Sequence, residues 1–392
     1  MQTTIHQTFF RLIRASVLSG EDVALRDWKV VFAEMRAQSV AALPGTWLKE
    51  HGSPETEPWV RYCCTQQGNW IWVLNGQREL LDLLNQNGIP CVIIKGAAAS
   101  MYYSYPSLRM MGDVDFLVKR EDYEKTAALM EVSGYELAHE KNPKQHHYAY
   151  KKDHIFFELH YRLGTVDESD ESLISLFERG IDQREWREAE GFRFPVLPVH
   201  LNGLSLIFHI NQHLRGGLGF RQIIDWMMYV NALSDAEWRE MQPLLKETGM
   251  QRLAFTVTAM CQKYFGLRHL VDDDGSLPAD ALAMYIMEKG NFGRKAGVRG
   301  KTAEVSLSSV GRGGLLKRLQ IGGLCRWEAA RRNRLLRPFA WIYQSFRIIG
   351  LFLKNRISPF EILAQWKRGK EQRKLIKALG LNIDRTVKKQ RL

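Results

Sequence analysis

The chain has 392 residues, 45% hydrophobic and 25% charged, which excludes a disordered chain and allows one large or two to three modest globular units. Its net charge is +12, yet residues 311–392 hold 21 lysines and arginines against 4 acidic residues, a net +17, so the remainder carries −5. Five cysteines (Cys63, Cys64, Cys91, Cys261, Cys325) are an odd number without metal-type spacing; this argues against disulfides and zinc and fits a reducing cytoplasm.

The first stretch, MQTTIHQTFFRLIRAS, has Arg11 and Arg14 interrupting its apolar residues, so it does not read as a signal peptide. Apolar residues at helical spacing in FFRLIRASVL, DWKVVFAEM and NWIWVLNGQRELLDLLNQNG make residues 1–88 a helical N-terminal segment, closed by Gly88. Trp28, Trp47, Trp59, Trp70 and Trp72 are expected in its core.

Residues 89–118 read strand, turn, helix, loop, strand. The run Cys91-Val92-Ile93-Ile94 suits a buried strand that stops at Lys95-Gly96, and Ala97 to Ser100 restart as helix. The expected turn leaves Gly96 and the first helical N–H groups facing outward beside Lys95, an arrangement able to hold nucleotide phosphates, with Arg109 as a second cation. The next strand carries Asp113 and Asp115, and a period of two puts both carboxylates on one face. Two carboxylates so close repel each other unless a cation neutralises them, and Mg²⁺ takes carboxylate oxygens together with substrate phosphates. On that reasoning, loss of Asp115 should leave the metal-free protein as stable or more so. A lone Asp-X-Asp also occurs in ordinary surface turns; here Glu158, within HIFFELHYRL and on one face with Phe156 and His160, supplies a third carboxylate that itself needs a partner.

The sequence KGAAASMYYSYPSLRMMGDVDFLV, with FELHYRL downstream, resembles bacterial nucleotidyltransferase-family proteins of the DNA polymerase β superfamily. It differs from better-known members in having Lys95-Gly96-Ala97 where they have Gly-Ser or Gly-Gly. The resemblance implies a small mixed sheet in an α+β fold. It also implies metal-binding and catalytic roles for Asp113, Asp115 and Glu158, two divalent ions (Mg²⁺ or Mn²⁺), an NTP substrate and a hydroxyl acceptor.

An amphipathic helix from Lys119 to Val132 leads to three expected strands, Tyr135–His139, His147–Lys151 and His154–Leu163, the last two joined at Lys152-Asp153. Residues 89–164 thus form the expected catalytic core, and 165–310 read as mainly helical. His209 and His213 lie at i, i+4, the spacing of a two-histidine metal site and equally of a packed pair. Arg221 and Asp225 repeat that spacing, which reads plainly as an intrahelical ion pair; the family resemblance implies that all four line the cleft. Gly297 to Thr302 ends like a phosphate loop but lacks its earlier glycine and a preceding strand, and Asp272-Asp273-Asp274 reads as a solvated loop.

Residues 311–392 form a basic amphipathic helical tail whose apolar and arginine-rich stretches suit packing, an anionic membrane or RNA. The longest apolar run, Phe339 to Leu353, falls short of a bilayer span. The whole reads as a metal-dependent nucleotidyltransferase that moves a nucleoside monophosphate to an unidentified hydroxyl. The alternative is a catalytically silent nucleotide- or nucleic-acid-binding scaffold working through its basic tail.

Overall fold

Short runs with apolar residues two apart form seven strands: β1 (Cys91–Ile94), β2 (Asp113–Val118), β3 (Glu136–Leu137), β4 (His147–Lys152), β5 (Ile155–His160), β6 (Glu185–Ala189) and β7 (Phe192–Val196). The computed structural model describes residues 2–139, 147–164, 166, 170–214, 216–291, 314–354 and 359–381. The chain divides into two compact units, Met1–Phe292 and Gly293–Leu392.

In the first unit all seven strands form one mixed sheet in the order β3-β4-β5-β2-β1-β7-β6, an α+β architecture. The β2–β5 and β1–β7 pairs are parallel and the others antiparallel. One face buries Ile93, Val114, Phe116, Val118, Phe157 and Leu159 against two helices, α4 (Glu57–Gln86), counted after α1 (Gln2–Arg14), α2 (Trp28–Ala37) and α3 (Gly45–His51), and α6 (Tyr123–Val132), which follows the short α5 (Gly96–Ser100). Helix α4 crosses so closely that a Cβ at Gly76 would lie 2.5 Å from Ile155 Cδ1. Gly88 ends this entry with φ +65°, the left-handed conformation that glycine adopts freely.

Helices α7 (Glu171–Asp182), α8 (Val199–His213), α9 (Phe220–Ala232), α10 (Asp235–Glu247), α11 (Gln251–Phe265) and α12 (Ala279–Lys289) follow. Strands β6 and β7, between α7 and α8, were not expected in a stretch that the sequence reads as mainly helical. Their hairpin is short and charged, with Pro195 inside β7, so its period-two apolar residues Phe192, Phe194 and Val196 are the only strand signal. The β4–β5 turn lies at Asp153-His154, one residue later than expected; both have positive φ (+48° and +64°), as a type I′ hairpin turn requires. Trp47, Trp59 and Trp70 are buried and Trp28 half-buried, but Trp72 is 54% exposed, its indole N–H donating to Asp153 O.

In the second unit, helices Gly314–Arg326, Glu328–Arg332, Ala340–Lys354 and Pro359–Ala378 are described. A Cβ at Gly323 would collide with the backbone of Ala340, so these two helices meet through small residues. No helix among the described residues is long and apolar enough to cross a membrane. The phosphate-loop lookalike Gly297 to Thr302 lies outside the described residues, whereas Asp272, Asp273 and Asp274 are exposed, as expected of a solvated loop.

Candidate active site

Strand register assembles the site. Asp115 lies opposite Glu158 and Leu117 opposite His160 in the parallel β2–β5 pair, and His147 lies opposite His160 across β4–β5. Directly opposed residues share a face, as do residues two apart, so Asp113, Asp115, Glu158, His160 and His147 stand together on the face turned away from Phe116 and Phe157.

Asp115 is 4% exposed, and its Oδ1 lies 2.6 Å from Lys95 Nζ and 3.1 Å from His160 Nε2. Burial alone would push this carboxyl up, but Lys95 and His160 outweigh it and hold Asp115 well below the usual carboxylate range. Burial likewise works against the Lys95 ammonium, and the charges of Asp115 and Glu158 outweigh it, leaving that pKa raised. Lys95 has φ +58° and ψ −130°, a conformation that disfavours side chains. Strain of this kind costs about 1–3 kcal/mol and persists where surrounding contacts fix the residue; here the ion pair with Asp115 does so. His160 Nε2 also stands 3.3 Å from Glu158 Oε2, and His147 Nε2 is 3.8 Å from Glu158 Oε1.

Asp113 differs from its neighbour. Its carboxylate has no hydrogen bond or ion pair among the described residues, and burial followed by the charges of Asp115 and Glu158 pushes it up to about 6, against partial relief from Arg221 and Lys95. The carboxylates therefore split into one already neutralised by the protein, Asp115, and one short of positive charge, Asp113.

Helices α8 and α9 supply the remaining groups. The His209 and His213 rings stack edge to face, 4.5 Å apart. Burial, then His213 and Lys95, push His209 well down, and burial with Lys95 and Arg221 lowers His213 to about 4, so both imidazoles are neutral at physiological pH.

Arg109 and Asp225 are corrections. Arg109 is 3% exposed, and its Nε and Nη2 donate to Asp225 Oδ1 and Oδ2 at 3.0 and 2.7 Å; Tyr103 OH donates to Oδ1 at 2.8 Å. The planar guanidinium fork matches a carboxylate at two points, so Asp225 pairs across 116 residues of sequence instead of with Arg221 one turn away. This removes Arg109 as an available phosphate cation. Arg221 is left half-buried, with Nη1 reaching Met110 O at only 3.5 Å and a buried Nε without a hydrogen-bond partner among the described residues. Burial and Arg109 lower its pKa, while Asp113 supports its charge. Gly96 is a further correction, since Gly96 to Ser100 are all buried instead of forming an outward-facing turn. The Asn202 side chain on α8, donating to Ala98 O, helps to cover them.

The donor set suits a divalent cation. Asp115, Glu158 and His160 each offer one ligand atom, all within 4.8 Å of one another, and the uncompensated Asp113 stands beside them. Sequence reasoning missed His147, whose signal was its alternation with Ala149 in HYAY, and Tyr103, which fixes Asp225.

Among curated proteins, none matches the chain. Residues 24–266, more than half of the chain, match the profile of a family described as uncharacterised nucleotidyltransferase, spanning the sheet, the acidic cluster and both overlying helices. The chain belongs to that nucleotidyltransferase family.

Proposed function

We propose that this protein transfers a nucleoside monophosphate from an NTP to a hydroxyl acceptor on a catalytic unit of the DNA polymerase β type. The observation that carries the reading is the parallel register that sets Asp115 beside Glu158 with Asp113 on the same face, the last pushed up to about 6 by burial and by the charges of Asp115 and Glu158. Asp113, Asp115 and Glu158 would hold Mg²⁺ or Mn²⁺, two ions in all. His160 adds a nitrogen donor, which Mn²⁺ accepts more readily than Mg²⁺. Bound metal supplies neutralisation of the triphosphate and acidification of the acceptor hydroxyl.

The chain's own residues do the rest. Glu158 receives the acceptor proton, the acceptor oxygen bonds to the α-phosphorus, and the bond from that phosphorus to the bridging oxygen breaks to release pyrophosphate. Arg221 balances charge on the departing phosphates, in the role that the sequence suggested for Arg109, while Lys95, held on Asp115, keeps that carboxylate ionised. His209 and His213, neutral and partly enclosed, wall the cleft without adding charge. The basic segment 311–392 is proposed to meet a polyanion, and the setting is proposed to be cytoplasmic.

One observation favours a second reading. The buried 2.6 Å contact from Lys95 to Asp115 gives one ligand carboxylate an internal cation, which suits a catalytically silent nucleotide-binding scaffold. Incubation with α-labelled NTPs, Mn²⁺ or Mg²⁺ and panels of small-molecule, protein and RNA acceptors separates the two. Transfer of label with stoichiometric pyrophosphate supports catalysis; saturable binding with no label transferred to any acceptor supports the scaffold.

A further inference from the structure

The described helices of the second unit leave bulky apolar side chains in solvent. Leu335 is 80% exposed, Phe346 71%, Phe339 53%, Ile349 51% and Trp341 37%. At 100° per residue, Trp341, Ile349 and Phe346 fall within an arc of about 140° on helix Ala340–Lys354. Ala340 and Gln344, which are buried, lie on the opposite side, where they meet Gly323 and Gly322 of helix Gly314–Arg326. The helix thus uses one face for its neighbour and leaves an apolar face without one among the described residues.

Cations lie close by in sequence. Arg331, Arg334 and Arg337, ahead of the helix, and Arg347, on its other side, are exposed, and the whole segment 311–392 carries +17. Exposed contiguous apolar side chains mark an interaction surface. Aromatic and aliphatic residues on one helix face, in a strongly basic segment with exposed arginines, are the composition of a helix that lies in the plane of a lipid interface and is drawn there by anionic headgroups. Nucleic acid fits less well. Tyr343, a candidate for stacking on bases, is already stacked on Trp327, the rings 5.1 Å apart and 9° from parallel. The most exposed groups here are Leu335 and Phe346, and leucine offers a base no ring to stack on.

We infer that the second unit binds the surface of an anionic lipid bilayer, with Trp341, Phe346 and Ile349 entering the interface and the exposed arginines meeting the headgroups. This rests on the polyanion reading of the basic segment and names its source. Peripheral attachment of this kind needs no spanning helix and would hold the nucleotidyltransferase unit beside a membrane-associated acceptor.

The test is flotation of the full-length chain with phosphatidylcholine vesicles, with or without 30% phosphatidylglycerol, and in parallel a titration with a single-stranded RNA oligonucleotide. Partition into the anionic vesicles should exceed that into neutral ones by about tenfold or more and weaken as salt rises. Phe346→Ser with Ile349→Ser should lower the anionic partition at least tenfold while leaving RNA binding unchanged. Arg334→Glu with Arg337→Glu provides an independent variant on exposed positions and should lower it similarly. Equal partition into both vesicle types, or retention by both variants, overturns the inference. RNA binding that outcompetes vesicles, with no vesicle binding at physiological salt, overturns it in favour of nucleic acid while leaving the polyanion reading intact. Absence of both kinds of binding overturns both.

Discussion

Three residues around the acidic cluster have separable tasks, and stability distinguishes them. Arg109→Gln leaves Asp225 buried without its guanidinium, and losing one partner of such a pair costs about 3–5 kcal/mol; urea denaturation should show this loss. Arg221→Gln removes a cation that Arg109 repels and that has no carboxylate of its own, so unfolding free energy should hold within about 1 kcal/mol while triphosphate affinity falls more than nucleoside affinity. Equal weakening of triphosphate and nucleoside binding would remove Arg221 from the phosphate site. The structure also reverses the expectation for Asp115. Repulsion suggested that its loss would be harmless, yet Asp115 is the partner of buried Lys95, and Asp115→Ala should destabilise the metal-free protein. The relief of repulsion belongs to Asp113. Sequence spacing could not separate the two carboxylates, because their difference lies in Lys95 and His160, 20 residues before and 45 residues after Asp115.

At the scale of elements, α8 and α9 carry four of the residues above the sheet, and their contact is unusually close. A Cβ at Gly203 would collide with the ring of Tyr229, so Gly203→Ala must separate the helices or displace that ring. Overpacking of this kind costs about 1–3 kcal/mol, visible as a lower thermal midpoint, and the shift of α8 and α9 should weaken nucleotide binding as well. The same helix gives an acid response. His213 is pushed down to about 4 from an ordinary 6.5 by burial and neighbouring cations, so the unfolded chain takes up a proton before the folded one. Stability from this residue is therefore present above pH 6.5 and lost as pH falls towards 4, by an amount on the order of 3 kcal/mol. His213→Gln should flatten that part of the stability profile; an unchanged profile would place the acid response elsewhere. The helices and the strands of residues 89–164 were legible because their apolar periods are strong. The β6–β7 hairpin was obscured by its charges and Pro195, and the Arg109–Asp225 pair by its sequence separation, since i, i+4 spacing pointed to the wrong arginine.

Across the whole molecule, the family match, the sheet and the acidic cluster all fall in the first unit, and the excess positive charge falls in the last 82 residues. The site then stands or falls on whether the uncompensated carboxylate takes a metal together with a nucleotide. Asp113→Asn is the cleanest probe, because it removes the charge that lacks a partner and leaves the Lys95–Asp115–His160 contacts in place; the metal-free variant should be at least as stable as the native chain at neutral pH. The decisive measurement is calorimetric titration of native protein and this variant with non-hydrolysable NTPs in the presence of Mn²⁺ and in its absence. The account predicts that Mn²⁺ tightens NTP binding to the native protein by about tenfold or more, near 1.4 kcal/mol, and that Asp113→Asn abolishes this gain while remaining folded. Native binding that is indifferent to Mn²⁺, or an Asp113→Asn variant that keeps the full gain, would contradict it.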